Sequence, residues 1–279
     1  MKPDDYSKYY KLLAKQNWLS EKDTEFFSLI KSCKNEDQKK LVFDLLSDFN
    51  YLNSNMRQKY LGFLASYIIN ETGFAIEKTQ IVGMSMDSNP DSGDWLLHQL
   101  RPFLTRMGWN DVKVTPKFYS GVKQLNKKGL TQLVLVDEFI GSGQSVEGRI
   151  NFLKKNAKIE YEIKACFIAG MEFGINNVSK SFADFKCFLP LKKGISDKYT
   201  FLESKKAIAH MRELESNLLQ QIKDKNLKDY HLGFNNAEAL YSSEVNTPNS
   251  VFPFFWWPYD SKKSLRTPIL TRNEVGLSL

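Results

Sequence analysis

The chain's 279 residues are enough to bury a substantial core as one large or two modest domains, and a composition of 42% hydrophobic and 25% charged residues is ordinary for a soluble protein. No apolar run reaches the length of a membrane span, and Met1-Lys2-Pro3-Asp4-Asp5 does not read as a signal peptide. A net charge of +7 suits anionic substrates, nucleic acid or an acidic partner and selects none of them.

Three widely separated cysteines, Cys33, Cys166 and Cys187, imply reduced thiols and a cytoplasmic setting. With only His98, His210 and His231 available, no His/Cys metal cluster is spelled out, and a protein-bound zinc is not expected. Basic residues fall in short pairs such as Lys39-Lys40, Lys127-Lys128 and Lys205-Lys206. They form no long tract with interleaved aromatics, so no dedicated nucleic-acid domain is expected.

Residues 1–75 read as a helical extension. Val42, Leu45, Leu46, Phe49 and Leu52 recur at helical spacing, as do Tyr60, Leu61, Leu64 and Ile68. Ser20 with Asp23 resembles a capping box ahead of a helix through Phe26, Phe27 and Ile30. Asn53-Ser54-Asn55 suggests a break, and Gly73 an exit.

Residues 76–279 read as the functional domain. A first strand is predicted over 79–86, followed by the polar loop 87–93 and a helix carrying Trp95, Leu96, Leu100, Phe103 and Leu104 that ends at Gly108. Further strands are predicted over 112–119, 130–136 and 163–170, and a long amphipathic helix over 201–222. Strands alternating with helices of about a dozen residues indicate βαβ units and a parallel α/β sheet.

One stretch carries most of the chemistry. Leu133-Val134-Leu135-Val136 runs into Asp137-Glu138, and the chain then passes through Phe139-Ile140 to Gly141-Ser142-Gly143-Gln144-Ser145. A continuous apolar run closed by a Gly-rich turn reads as a buried parallel strand, and helical character resumes over 146–153. The acids then sit at a strand's C-terminal end, where open α/β sheets bind ligands. The turn offers backbone N–H groups and two hydroxyls beside a positive helix terminus, which suits a phosphate. The acids cannot bind phosphate, but they can accept hydrogen bonds from vicinal sugar hydroxyls or approach a developing positive charge. A ribose 5-phosphate satisfies both halves, whereas the bland reading is an ordinary strand–turn–helix with solvated acids.

Other glycine-loop chemistries fit less well. A P-loop needs Gly-Lys-Ser/Thr where Gly143-Gln144-Ser145 stands, a dinucleotide fingerprint needs Gly at position 146 where Val146 stands, and no Gly-x-Ser-x-Gly elbow is spelled.

The acid pair, three intervening residues and [ST]-G-x-[ST] resemble the signature of type I phosphoribosyltransferases. By that resemblance Asp137 and Glu138 contact ribose, and Gly141, Ser142, Gly143, Gln144 and Ser145 grip the 5-phosphate of phosphoribosyl pyrophosphate (PRPP). Glu138 replaces the commoner second Asp, and Ser142 and Ser145 replace Thr; both changes keep the chemistry. The loop after the first core strand, in that family the pyrophosphate loop, corresponds here to Asp91, Ser92 and Gly93. Its acids beside a polyanion imply a substrate-bound Mg²⁺, although a plain turn with a helix cap reads equally well. A lid after the second strand corresponds to Lys117 onward, through Lys123, Lys127 and Lys128, and is short.

A second resemblance covers about residues 76–257. Asp91-Ser92-Gly93-Asp94, the PRPP-type loop, Gly233-Phe234-Asn235-Asn236, and Asn246-Thr247-Pro248-Asn249 followed by Phe254-Phe255-Trp256 are similar to the conflict-associated phosphoribosyltransferase-like family, PRTase-CE, of bacterial defence operons, anti-phage ones included. It implies that Asn246, Thr247, Asn249 and Trp256 border the pocket. It also implies a PRPP or nucleotide-like ligand, possible protein or nucleic-acid partners from the same operon, and no membrane. An active phosphoribosyltransferase and a catalytically silent nucleotide-sensing or assembly subunit both remain open at this level.

Overall fold

The structure, a computed structural model, describes residues 3–85, 92–156 and 160–273. Contacts group the chain into two units, Ser54–Leu191 and Met1–Asn53 together with Lys192–Leu279. A boundary at residue 75 is expected from the sequence. The chain instead changes unit after Asn53 and again after Leu191.

The N-terminal helices are α1 (Pro3–Lys15), α2 (Asp23–Lys31) and α3 (Glu36–Ser47), followed by the short strand β1 (Asn50–Leu52). Asn35 caps α3, its side chain accepting from the Gln38 N–H at 2.9 Å. The expected Ser20 cap does not form. Ser20 lies in a 3₁₀ turn (Asn17–Glu21), and Lys22 precedes α2 without a side-chain cap bond. Phe49 and Leu52 continue the apolar spacing of α3 but lie beyond its end, because β1 leaves the helix to pair in parallel with Tyr241–Ser243.

The other unit begins with α4 (Ser54–Ser66), which widens into a π turn over Tyr67–Glu71. The chain then alternates through β2 (Thr79–Ser85), α5 (Ser92–Arg106), β3 (Lys113–Lys117), α6 (Phe118–Lys128), β4 (Gln132–Ile140), α7 (Gln144–Asn156), β5 (Glu162–Met171), α8 (Glu172–Ser181) and β6 (Phe185–Leu191). The five strands form one parallel sheet in the order β3-β2-β4-β5-β6. The expected parallel α/β class is therefore present. β6 is the strand that sequence periodicity passes over: at the sheet edge most of its residues are only half-buried, so it lacks the continuous apolar run of a central strand.

Val82, Leu133, Leu135, Ala165 and Phe167 are fully buried on one face of the sheet, and they cluster with Phe118 and Leu125 of α6, Val146, Ile150 and Leu153 of α7, and Val178 of α8. α6 corrects two expectations. The second predicted strand stops at Lys117, and the lysine-bearing segment proposed as a lid is a helix packed on β2 and β3. Gly121 permits that packing, because a Cβ there would sit 2.6 Å from Val82 Cγ1. Gly121→Ala should therefore destabilise the protein by about 1–3 kcal/mol despite the ~1 kcal/mol gain in helix propensity. Urea denaturation reading a lowered midpoint at constant slope checks this.

Beyond Leu191 the chain forms α9 (Phe201–Ser216), whose start is fixed by Glu203 accepting from the Thr200 N–H at 3.1 Å and hydroxyl at 2.7 Å. The helix ends six residues before the predicted Ile222. There β7 (Gln221–Ile222) and β8 (Lys225–Asn226) form a hairpin, with Lys223 at φ +51° in its turn. Residues 231–236 are an irregular segment. Leu232, Asn235, Asn236 and Glu238 all have positive φ, between +51° and +58°. Such conformations cost about 1–3 kcal/mol each and persist only when neighbours enforce them. Strand β9 (Tyr241–Ser243) then pairs with β1.

Two buried carboxylates supply that enforcement. Glu238 accepts from the N–H groups of Ile195 at 3.0 Å and Ser196 at 2.7 Å. Glu215, fully buried on α9, accepts from the Leu232 N–H at 3.1 Å, and its Oε2 lies 2.9 Å from His231 Nδ1. Burial raises the Glu215 pKa, and the His231 contact offsets this only in part. A raised folded-state pKa means that this group's stabilising contribution is complete below the unfolded value of about 4.3 and is lost as pH climbs through the folded value. Glu215→Gln should remove that slope. Paired urea melts at stepped pH should show the wild-type-minus-variant stability falling as pH rises across that window.

Candidate functional site

In the sheet's strand order, the connection from β2 leaves toward β3 and that from β4 leaves toward β5. The two C-terminal ends therefore flank a topological switch point, the place where doubly wound sheets open a crevice for ligands. The segment 137–145 lies at this point.

The acid pair lies within β4, short of the strand's end, because β4 continues to Ile140 in unbroken parallel register with β5: Asp137 pairs with Phe167 and Ile140 with Gly170. Consecutive strand residues face opposite sides of a sheet. Asp137 shares the face of Leu133 and Leu135 and is half-buried, with its Oδ1 accepting the Glu138 N–H at 2.7 Å. Glu138 occupies the other face and is 4% exposed. Residue spacing alone could not separate the two, since it does not say where the strand ends.

The turn Gly141-Ser142-Gly143 leads directly into α7, whose first full turn is marked by Glu147 N–H donating to Gly143 O at 3.0 Å. Gly143 adopts φ +90°, a region favouring glycine. Its backbone is held from beneath by α8. A Cβ on Gly143 would lie 2.9 Å from Gly174 O, a Cβ on Gly174 would lie 2.0 Å from Gly141 O, and Asn177 Nδ2 donates to Ser142 O at 3.3 Å. Gly141 and Ser142 are half-exposed, and Gln144 and Ser145 are exposed. The loop is thus fixed on its inner side and open on its outer side. The N–H groups of the first turn of α7 and the hydroxyls of Ser142 and Ser145 are donors of the kind an anion accepts from.

Two cations border this edge. Lys117, at the end of β3, pairs with Asp94 in the first turn of α5 at 2.7 Å. Arg149 of α7 donates to Met84 O near the end of β2 from both Nε and Nη2 at 3.4 Å, and its guanidinium lies 5.1 Å from the Phe118 ring centroid. Sequence reasoning singled out neither Arg149 nor the supporting pair Gly174 and Asn177. No local motif marks them, since each matters only through a fold-dependent neighbour.

The remaining expected residues belong to other elements. Ser92 and Gly93 open α5 on the far side of the β2 connection, and Asp91 falls outside the described residues. Asn246 and Trp256 belong to the other unit. Asn246 is half-buried, and its Oδ1 accepts the Asn273 N–H at 3.1 Å. Trp256 is 2% exposed, donates from Nε1 to Val251 O at 2.9 Å and lies 5.6 Å beneath the Arg272 guanidinium. Thr247 is fully buried and bonded to the Ser242 hydroxyl, while the Asn249 carbonyl accepts the Phe234 N–H at 2.9 Å. The two tail motifs, around Phe234 and around Asn249, are thereby joined in one substructure.

The family model PRTase-CE matches residues 16–272, and the chain belongs to that family of phosphoribosyltransferase-like proteins. Among solved structures, the xanthine-guanine-hypoxanthine phosphoribosyltransferase of Helicobacter pylori is 15% identical, with a TM-score of 0.34, over 51% of this chain and 84% of its own. A hypothetical protein from Neisseria gonorrhoeae with bound ppGpp is 12% identical, with a TM-score of 0.37, over 52% and 85%. The AQ2163 protein of Aquifex aeolicus is 11% identical, with a TM-score of 0.34, over 57% and 86%. No curated protein matches the chain. Among the described residues, no helix is long and apolar enough to cross a membrane.

Gly174 yields a direct test of the loop's construction. Gly174→Ala must move the Gly141 carbonyl or α8 itself. Amide hydrogen exchange should accelerate over residues 141–145, while the central segments of β4 and β5 retain their protection.

Proposed function

We propose that this PRTase-CE protein binds PRPP, or another ribose 5-phosphate nucleotide, at the β2/β4 switch point and transfers or releases the phosphoribosyl group. The observation carrying this reading is the combination of an open, glycine-shaped turn at the start of α7 with a half-buried carboxylate, Asp137, just upstream in the same strand. Backbone N–H groups from 143 onward and the Ser142 and Ser145 hydroxyls hold the 5-phosphate. Asp137 accepts from the ribose hydroxyls, and Glu138 adds negative potential from the opposite face of β4.

The reaction asks little covalent chemistry of the protein. The C1–oxygen bond to pyrophosphate breaks with its electron pair leaving on the pyrophosphate, and positive charge develops on the ribose as in glycoside cleavage. Carboxylates near C1 stabilise that charge, and a fixed loop supplies orientation. Carboxylate and hydroxyl oxygens, with no thiol or imidazole among the switch-point residues named above, are the donor set a hard cation prefers. Mg²⁺ carried by the substrate, with Asp137 as a carboxylate that could hold it, would neutralise the leaving pyrophosphate. The anti-phage defence role is the context that membership of PRTase-CE supports, with further proteins or nucleic acid of a defence operon as partners. The free thiols Cys33, Cys166 and Cys187 support a reducing, cytoplasmic setting.

Calorimetric titration of PRPP with Mg²⁺ should show saturable binding, and Asp137→Asn should weaken it about 10-fold or more, the loss expected for hydrogen bonds to a charged acceptor. Unchanged affinity would remove Asp137 from the site. Pyrophosphate release in the same mixtures identifies a transferase, whereas tight binding without release, alone or with operon partners added, identifies the silent sensing subunit.

A further inference from the structure

The helical unit holds two adjoining openings. A cavity of about 560 Å³ sits between α1 and α3, and a second of about 260 Å³ continues between α3 and α9. They share Asp37, Lys40 and Asp44 of α3, so the outer stripe of that helix forms one continuous floor. The combined space falls in the range of small-molecule sites. Leu12, Leu41 and Phe43, each at most 9% exposed, give it an apolar base.

The charges along this floor balance by count but not by commitment. Its acids are mostly engaged: Glu36 with Lys39 at 3.3 Å, Asp44 with the Tyr199 hydroxyl at 3.2 Å, and Glu203 with Thr200 at the start of α9. Among its lysines, Lys8 is paired with Asp4 at 2.7 Å. Lys11 of α1, Lys40 of α3 and Lys206 of α9 make no hydrogen bond or ion pair among the described residues. Lys11 thus lines the first cavity, Lys206 the second and Lys40 both, with Lys40 and Lys206 near enough to Glu203 to help Thr200 lower its pKa, and Asp37 is the single acid there with no hydrogen bond or ion pair of its own among the described residues.

We propose that these cavities form a second ligand site, specific for a nucleoside polyphosphate and separate from the switch-point loop. The three lysines take the phosphate chain as point charges, which tolerate its flexible geometry. The base rests on Phe43 and Leu12, and Asp37 accepts from ribose hydroxyls or an exocyclic amine. Occupancy ties α1, α3 and α9 together, so the ligand stabilises the unit that contains them.

The test titrates ATP, adenosine and inorganic tripolyphosphate separately into the full-length chain by calorimetry at low and high salt. ATP should bind with an affinity that falls as salt rises, and adenosine should bind at least 100-fold more weakly. The triple variant Lys11→Ala/Lys40→Ala/Lys206→Ala should lose at least 10-fold for ATP while its thermal unfolding in the absence of ligand stays cooperative. ATP titrations repeated with PRPP and Mg²⁺ in excess should show the same lysine-dependent binding, so failure of the PRPP reading is distinguishable from failure here. No ATP binding, or ATP binding that PRPP abolishes and the lysine variant leaves intact, overturns the proposal. Tripolyphosphate binding as tightly as ATP overturns its nucleoside component.

Discussion

Gly174 has no side chain, and the turn after β4 depends on that. With its Cα pressed against the Gly141 carbonyl, α8 forms a platform that fixes the inner side of residues 141–143 and leaves the outer side open. The approach is possible because β4 and β5 run in parallel and in register to their ends, so that their following segments meet at the same height. Any Cβ at this point would push the turn outward and spoil the alignment of N–H groups at the start of α7. The shape of the turn is therefore a property of two glycines from different βα units, held together by the sheet between them.

Electrostatics at the same edge follow the backbone. The N-terminus of α7 supplies partial positive charge, while Asp137 stands a short distance upstream on the same strand. A ligand with a phosphate at one end and hydroxyls or developing positive charge at the other matches this polarity. Lys117 and Arg149 frame the edge but are already engaged, the first with Asp94 and the second with the Met84 carbonyl and two aromatic rings. Lys117 thereby ties β3 to α5 and Arg149 ties α7 to β2, which holds this edge of the sheet together.

The helical unit solves a different problem. Its segment 232–238 places four non-glycine residues in left-handed conformations, at a combined cost of several kcal/mol. Glu215 and Glu238 offset this by accepting hydrogen bonds from backbone N–H groups inside the protein. The same carboxylates tie α9 and the Ile195–Ser196 turn to the irregular segment. Its burial makes Glu215 the pH-responsive part of this arrangement.

The amino-acid order alone was sufficient for the alternation of strand and helix, for the buried β4 run and for the glycine-serine turn, because each depends on neighbours within a few positions. It also carried the family resemblance, through short motifs at the turn and in the tail. The edge strand β6, the early end of α9, the helical character of residues 118–128 and the left-handed segment near Leu232 emerged only in three dimensions, since each is decided by what packs against it. The same holds within the site. Residue types pointed to Asp137, Glu138 and the turn, but the length of β4 put the two acids on opposite faces, and Gly174, Asn177 and Arg149 entered only through contacts made across the sheet and its helices. Local propensity and hydrophobic period are written residue by residue, whereas close approach and burial belong to pairs of residues that the chain separates and the fold reunites.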